Sequence, residues 1–367
     1  MKKIVIVDFD VTLMGGLGRV ICGLAKQFCN SGKYSLVIVS MFSLSGTMYY
    51  PLPDNVKIIH LNLNSARGNI FNQMLYYLKV IFILSNLCKK EKVDILMGTN
   101  STINSFLPFI RNCKIKIGTE HVSSTSILKR WKIVQRMFYP MLDCLVCLTE
   151  LDAKNYFYLK NIEVIPNQLP FFVQKQSDLE NKVVLAMGRF VKPKGFDILI
   201  DIISGIRDRC NGWQFRIVGD GEEELSLKEQ VKKLKLDDLV KILPATSEVI
   251  KEYLNASIFV VLSSSEGFSL AILEAMTCGL PVISFNCPYG PAAIIKNNVD
   301  GFLIENGNKK AFSEALLKLM YDKDMRKSFG KQAAENIQRF SPDKVFKMWD
   351  DLFEEFERKK VSGYNNL

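Results

Sequence analysis

Histidine is nearly missing from this chain of 367 residues, which has only His60 and His121. Its nine cysteines are odd in number and follow no repeated spacing, so they form no disulfide framework. The close pair Cys144 and Cys147 in "CLVC" has neither a second pair nor nearby histidines to complete a tetrahedral zinc set. Unbridged thiols fit a reducing compartment, so a cytoplasmic location is expected. Long apolar runs are lacking too. The most apolar later stretch, "IFNQMLYYLKVIFIL" at 70–84, has 15 residues and contains Lys79. A spanning helix needs about 20. The opening "MKKIVIVDFD" has too short an apolar run for a secretion signal and reads as a first strand.

Apolar residues make up 48% of the chain and are spread throughout. At this length they suffice for a core in each of two domains. In the first half "KKIVIVDFD", "SLVIVSMF", "VKIIHLN", "DILMGTN", "IKIGTEH" and "CLVCLTE" read as strands, and "RVICGLAKQFC" as a helix. Uninterrupted apolar strands between helices mark a parallel sheet buried on both faces. At 161–182 two prolines and a loss of periodicity indicate a linker, placed at 169–181. The alternation then restarts with "KVVLAMGRF", "FDILIDIISGI", "QFRIVGDG", "EEELSLKEQVKKL", "VKILPA", "SIFVVLSSS", "PVISFN" and "GFLIEN". The expected architecture is α/β: two tandem doubly wound domains, 1–168 and 182–341, with a cleft between them. The amphipathic stretch 342–360 is expected to form a terminal helix, part of 342–367, that packs back on the first domain.

The stretch "SSSEGFSLAILEAMTCGLPVI" (263–283) carries the sharpest chemistry. A helix starts inside it, and Glu266 and Glu274 stand eight positions apart around that start. Ser269 is followed three residues later by Ile272, so there is no capping box. Backbone N–H groups of Gly267, Phe268, Ser269 and Leu270 stay open to an anion, with the helix dipole behind them. A carboxylate accepts two hydroxyls well, as from sugar and ribose diols. A diphosphate at the helix start with a glutamate on either side suits a nucleotide sugar. Taken singly, the glutamates would read as a turn residue and a surface helix residue.

Together with "AMTCGLPVI", this arrangement resembles the signature of family 4 retaining glycosyltransferases of the GT-B fold. "GGLGR" (15–19) is similar to that family's glycine-rich first loop, "TEH" (119–121) to its acceptor-side histidine loop and "VIPNQ" (164–168) to its hinge. "GRFVKPKG" (188–195) resembles the basic donor loop and "VGDG" (218–221) a nucleotide-side turn. The resemblance implies that Glu266 binds donor-sugar hydroxyls and Glu274 the ribose. It implies that Arg189 and Lys194 neutralise the departing diphosphate, that Gly15, Gly16 and Gly219 line the donor, and that His121 lies near the reacting carbon. Retention, with the leaving phosphate oxygen taking the acceptor proton, follows from the resemblance alone. So does the need for neither cofactor nor metal. "GPAAII" departs from the pattern, placing Ala292 and Ala293 where relatives often carry a glutamate.

Other readings remain open at this stage. "DFD" (8–10) matches the Asp-x-Asp of metal-dependent glycosyltransferases. A nucleotide-sugar epimerase shares the two-domain fold, and a two-lobed solute- or RNA-binding protein is a non-enzymatic alternative. The charge is uneven: residues 1–176 hold 21 Lys+Arg against 10 Asp+Glu, and residues 177–367 hold 27 against 28. A basic first half suits an anionic membrane surface and a lipid-linked glycan acceptor, as in O-antigen or capsule synthesis. "KRWKIVQRMFYPML" (129–142) would put Trp131, Val134, Phe138 and Met141 on one interfacial helical face, bordered by Lys129, Lys132 and Arg136. The expected enzyme is therefore peripheral at the inner membrane face and uses a nucleotide sugar, with UDP the family's commonest carrier.

Overall fold

The computed structural model describes all residues except Met14, 43–49, 65–68, 125, 126, 128 and 365–367; the side chains of Ile70, Arg130 and 360–364 are also outside the description. The chain divides into two units, Met1–Gln168 with Pro342–Leu367, and Leu169–Ser341.

In the first unit the strands are β1 (Lys2–Asp8), β2 (Tyr34–Ser40), β3 (Lys57–His60), β4 (Val93–Gly98), β5 (Cys113–Glu120), β6 (Cys144–Cys147) and β7 (Ile162–Val164). They form one parallel sheet in the order β3-β2-β1-β4-β5-β6-β7. Central β1 sets Ile4 beside Leu36 of β2 and Ile95 of β4, and all three are buried. Each such side chain contributes about 1.5–3 kcal/mol. The helices are α1 (Gly16–Asn30), α2 (Ile70–Glu91), α3 (Ser101–Phe106), α4 (Lys129–Phe138) and α5 (Glu150–Ala153). Crossovers between parallel strands are right-handed. The path from β1 to β2 therefore puts α1 on one face of the sheet, and the opposite paths from β3 through β6 put α2, α3 and α4 on the other. Val80, Leu84 and Cys88 of α2 accordingly share a core cluster with Ile103 and Phe106 of α3.

The second unit repeats the plan. Strands β8 (Val183–Met187), β9 (Gln214–Gly219), β10 (Val240–Pro244), β11 (Ile258–Val261), β12 (Val282–Asn286) and β13 (Gly301–Glu305) form a parallel sheet ordered β10-β9-β8-β11-β12-β13. Around it lie α6 (Phe196–Gly205), α7 (Glu224–Lys233), α8 (Val249–Leu254), α9 (Leu270–Thr277), α10 (Gly290–Ile294), α11 (Lys309–Tyr321) and α12 (Lys323–Asn336). The doubly wound α/β class expected from the sequence is the one observed in both units.

The last helix, α13 (Pro342–Tyr364), belongs to the first unit. Phe346 and Phe353 meet Phe28 of α1, and Tyr34 Oη donates to Asp350 at 2.6 Å. The segment 169–181, read from sequence as a linker, is instead part of the second unit. Ser177 Oγ donates to the Ala256 carbonyl at 2.7 Å, and Leu179 is buried. Irregular backbone tied by side-chain bonds carries no periodicity, so its packing left no pattern to read. With α13 counted where it packs, the first unit holds 25 Lys+Arg against 16 Asp+Glu, a net +9, and the second holds 23 against 22, a net +1.

Candidate active site

Each sheet reverses its strand order at one place, and in open α/β sheets ligands bind beyond the strand ends at that switch point. In the second unit it falls between β8 and β11. The loop after β8 turns through Lys192–Lys194 to Gly195, which has φ 69° and would set a Cβ 2.4 Å from the Leu262 carbonyl oxygen. Only glycine fits there. The loop is thus pressed against the end of β11, and Lys194 is delivered to Glu266, Nζ to Oε1 2.6 Å. Ser263 Oγ donates to the same oxygen at 2.7 Å. Oε2 of Glu266 has no partner among the described residues. The Lys194 ammonium has three donors and gives one to Glu266, which leaves it able to hold an anion as well.

Helix α9 begins just beyond, with Ser269 at its N-cap making no side-chain capping bond. Phe268 is buried edge-on against Phe340, so at this end of the loop the backbone, not the ring, faces a ligand. Glu274 is 5% exposed, which overturns the surface-residue reading. Tyr253 Oη, at the end of α8, donates to Glu274 Oε2 at 2.9 Å, and Tyr253 itself is fully enclosed. A buried carboxylate is tolerated only when hydrogen-bonded. Sequence reasoning missed both Tyr253 and Ser263. Ser263 stands three residues before Glu266 and could have been weighed. Tyr253 lies 21 residues from Glu274, and no periodicity links the two.

The remaining loops of this unit close around Glu266. The loop after β12 reaches it through a bridge with Tyr289 and a bond from Gly290 N to the Glu266 carbonyl oxygen at 3.2 Å. Tyr289 holds φ 76°, an uncommon conformation for a non-glycine residue that stores strain beside the site. This backbone contact occupies the loop that carries Ala292 and Ala293. Arg189 is exposed and pairs with no acid among the described residues. Gly219 has a packing reason: a Cβ there would lie 1.9 Å from the Gly188 carbonyl oxygen, so the loops after β8 and β9 could not meet.

In the first unit the switch point lies between β1 and β4. Asp8 is buried, accepts from Thr99 Oγ1 and takes the Asp10 backbone N–H at 3.2 Å. Burial raises its carboxyl above the ordinary range. Asp10 accepts from Thr12 N at 2.9 Å. The two acids of "DFD" are therefore held by backbone of their own loop and, for Asp8, by Thr99 across the gap. Gly15, the N-cap of α1, is extended at φ 176° with no side-chain cap and nothing within 4 Å of a built Cβ, and Gly16 opens the helix. The backbone does not demand glycine at Gly15; what the residue leaves is open space before the helix start.

At the end of β5, Thr119 Oγ1 donates to the Gly98 carbonyl at 2.7 Å and lies 3.0 Å from His121 Nε2. A hydroxyl has one proton, so Nε2 must carry the hydrogen it shares with Thr119. Nδ1 is then a bare acceptor, enclosed and without a hydrogen-bond partner among the described residues. Burial pushes the imidazole down to about 4, which keeps it neutral. His121 is thus not a satisfied core histidine. Glu120 beside it is 2% exposed and accepts from Tyr139 Oη and, at 3.0 Å, from Asn104 Nδ2. Burial drives its carboxyl up to about 7. Sequence reasoning quoted Glu120 within "TEH" but missed this network.

The interfacial face expected on 129–142 is corrected. Trp131, Val134 and Phe138 are half-buried, with Phe138 edge-on to Phe109 at 5.0 Å, and Met141 lies past the helix end. The exposed apolar residues of α4 are Ile133 and Met137. The ring that Phe138 meets, Phe109, lies outside the segment, so the segment itself does not show this rotation. Arg130, part of the same expectation, has its side chain outside the described residues.

Residues 168–336 match one known protein family. That family is glycosyl transferases group 1. Among curated relatives, the amylovoran biosynthesis glycosyltransferase AmsD of Erwinia amylovora is 29% identical over 96% of this chain and 99% of its own. An α-1,4-N-acetyl-D-galactosaminyltransferase of Campylobacter jejuni, named for a glycan on PP-undecaprenol, is 24% identical over 93% of this chain and 95% of its own. Among solved structures, a Staphylococcus aureus TarM mutant in complex with fondaparinux, α-GlcNAc-glycerol and UDP superposes with a TM-score of 0.79 at 18% identity, covering 96% of this chain and 100% of that one. The fold is GT-B. The group 1 match covers the loops after β8 and β11, Tyr253, Glu266 and Glu274.

Proposed function

We propose that the chain is a retaining glycosyltransferase that moves a hexose or N-acetylhexosamine from a nucleotide sugar, UDP-linked, to a growing lipid-linked glycan of a bacterial surface polysaccharide. The observation that carries the proposal is the pair Glu266 and Glu274 around the uncapped start of α9, with Lys194 2.6 Å from Glu266. The donor diphosphate meets the free N–H groups and positive dipole end of α9. Glu274, held by Tyr253, takes the ribose hydroxyls, and Glu266 takes hydroxyls of the sugar. Lys194 and Arg189 offset the charge that grows on the leaving diphosphate, the electrostatic work a metal does elsewhere. His121, kept neutral by burial, lies near the reacting sugar carbon. The bond from the sugar carbon to the phosphate oxygen breaks as the acceptor oxygen bonds on the same face. The acceptor proton passes to that phosphate oxygen, so no protein nucleophile is invoked. The acceptor class is supported by the basic first unit and by the relative named for PP-undecaprenol. The same charge supports attachment to the anionic inner leaflet.

The test is transfer from UDP- and GDP-sugars to diphosphate-linked glycan acceptors in excess chelator, with the product anomer read by NMR. Expected are full activity without metal, an α-linked product from an α-linked donor, and a ten- to hundredfold lower kcat in Lys194→Ala, as for loss of a charge-assisted bond of about 1.5–3 kcal/mol. An inverted anomer, or activity lost to the chelator and restored by magnesium, would contradict it.

A further inference from the structure

Helix α2 is apolar on two opposite faces. Its inward face buries Val80, Leu84 and Cys88 in the core. Phe71, Met74, Leu75, Leu78 and Phe82 recur at steps of three and four residues on the other side, and each is between 48% and 67% exposed. A surface helix ordinarily turns polar residues outward, and a contiguous exposed apolar stripe marks a contact site. The charge pattern along the helix says what it contacts. Lys79 flanks the stripe, and Lys89 continues it at the helix end beside Lys90 and Lys92. The first acid of the helix is Glu91, already paired with Lys3 and Lys57. On the same side of the sheet, α4 exposes Ile133 and Met137 beside Lys132 and Arg136. An apolar line bordered by cations, on a unit of net +9, complements an anionic lipid leaflet. A second copy of the same cationic unit would meet it with like charge.

We propose that the outward face of α2 inserts into the interfacial zone of an anionic leaflet, the helix lying in the membrane plane with its lysines at headgroup level. This deepens the membrane-surface reading above and rests on it. At 22 residues, α2 is about 33 Å long. No helix among the described residues is apolar and long enough to cross a bilayer, so insertion is by one face.

The experiment is co-sedimentation of the full chain with phosphatidylcholine vesicles, with and without phosphatidylglycerol, at low and high salt. Wild type should bind the anionic vesicles, and Leu78→Ser with Phe82→Ser should bind at least about tenfold more weakly with an unchanged melting curve. Asn86→Lys should bind about fivefold more tightly, again with an unchanged melting curve. Wild-type binding by the serine variant, with loss in Lys132→Ser, Arg136→Ser, would overturn the α2 assignment and leave the membrane reading standing. No binding of wild type to anionic vesicles would overturn both. A wild-type dimer in sedimentation velocity that the serine substitutions dissociate, with vesicle binding unaltered, would assign the face to a second copy and overturn the proposal.

Discussion

The two units wind their central strands in the same order, yet their switch points are closed in opposite ways. Across β1 and β4, a buried carboxylate and hydroxyl, Asp8 and Thr99, join over the gap. Across β8 and β11 the equivalent place holds an ion pair, Lys194 and Glu266, whose side chains are 33% and 11% exposed. Helix starts differ as well. Helix α3, which follows β4, is capped by Asn100, which accepts from Ile103 N at 3.1 Å. Helix α9, which follows β11, is uncapped. One topology thus presents a buried polar pair beside a capped helix in one unit and a part-exposed ion pair beside an uncapped helix in the other. The fold supplies the place, and loop residues supply the chemistry.

The largest expected effect separates the units by stability. Glu120 is pushed up to about 7 from 4.5 by burial, so the folded first unit keeps a proton that the unfolded chain releases. Stability is therefore lost as pH rises from about 4.5 to about 7. His121, pushed down from 6.5 to about 4, acts oppositely: stability is lost as pH falls through that window. Glu120→Gln should remove the first dependence and leave the second. Relative to wild type it should gain about 3 kcal/mol between pH 4 and pH 8. Urea titrations at both pH values, with Trp131 and Trp349 reporting the first unit and Trp213 the second, should place the change in the first unit only. Parallel pH profiles in variant and wild type would break the comparison.

A smaller effect is expected in the second unit. Tyr253→Phe removes the hydroxyl that donates to Glu274. Donor KM should rise about tenfold, with kcat unchanged, because the tyrosine orients a ribose ligand and touches no reacting atom. A fall in kcat at constant KM would show that Tyr253 serves the reacting centre instead.

The strands were legible because each sheet is buried on both faces, and "KIVIVD" and "IFVV" have no polar alternation to mislead. The start of α9 and the absence of its cap were legible because capping is a matter of local spacing. Contacts between distant segments were not. Tyr253 and Glu274 lie on separate helices, and the Glu120 network gathers Asn104 from α3 and Tyr139 from the turn after α4. Phe138 of α4 meets Phe109, a residue outside its own segment, so the rotation of α4 could not be read there. The exposed face of α2 was hidden for another reason: a helix apolar on two sides shows no one-sided periodicity.

Calorimetric titration of UDP into wild type, Glu274→Ala and Glu266→Ala tests most directly whether the two glutamates divide one donor between them. UDP should bind Glu274→Ala ten- to hundredfold more weakly, the loss of a hydrogen bond to a charged group being about 1.5–3 kcal/mol. Glu266→Ala should keep wild-type affinity for UDP and lose the added affinity of the attached sugar. Unchanged UDP affinity in Glu274→Ala, or equal losses in both variants, would contradict that division.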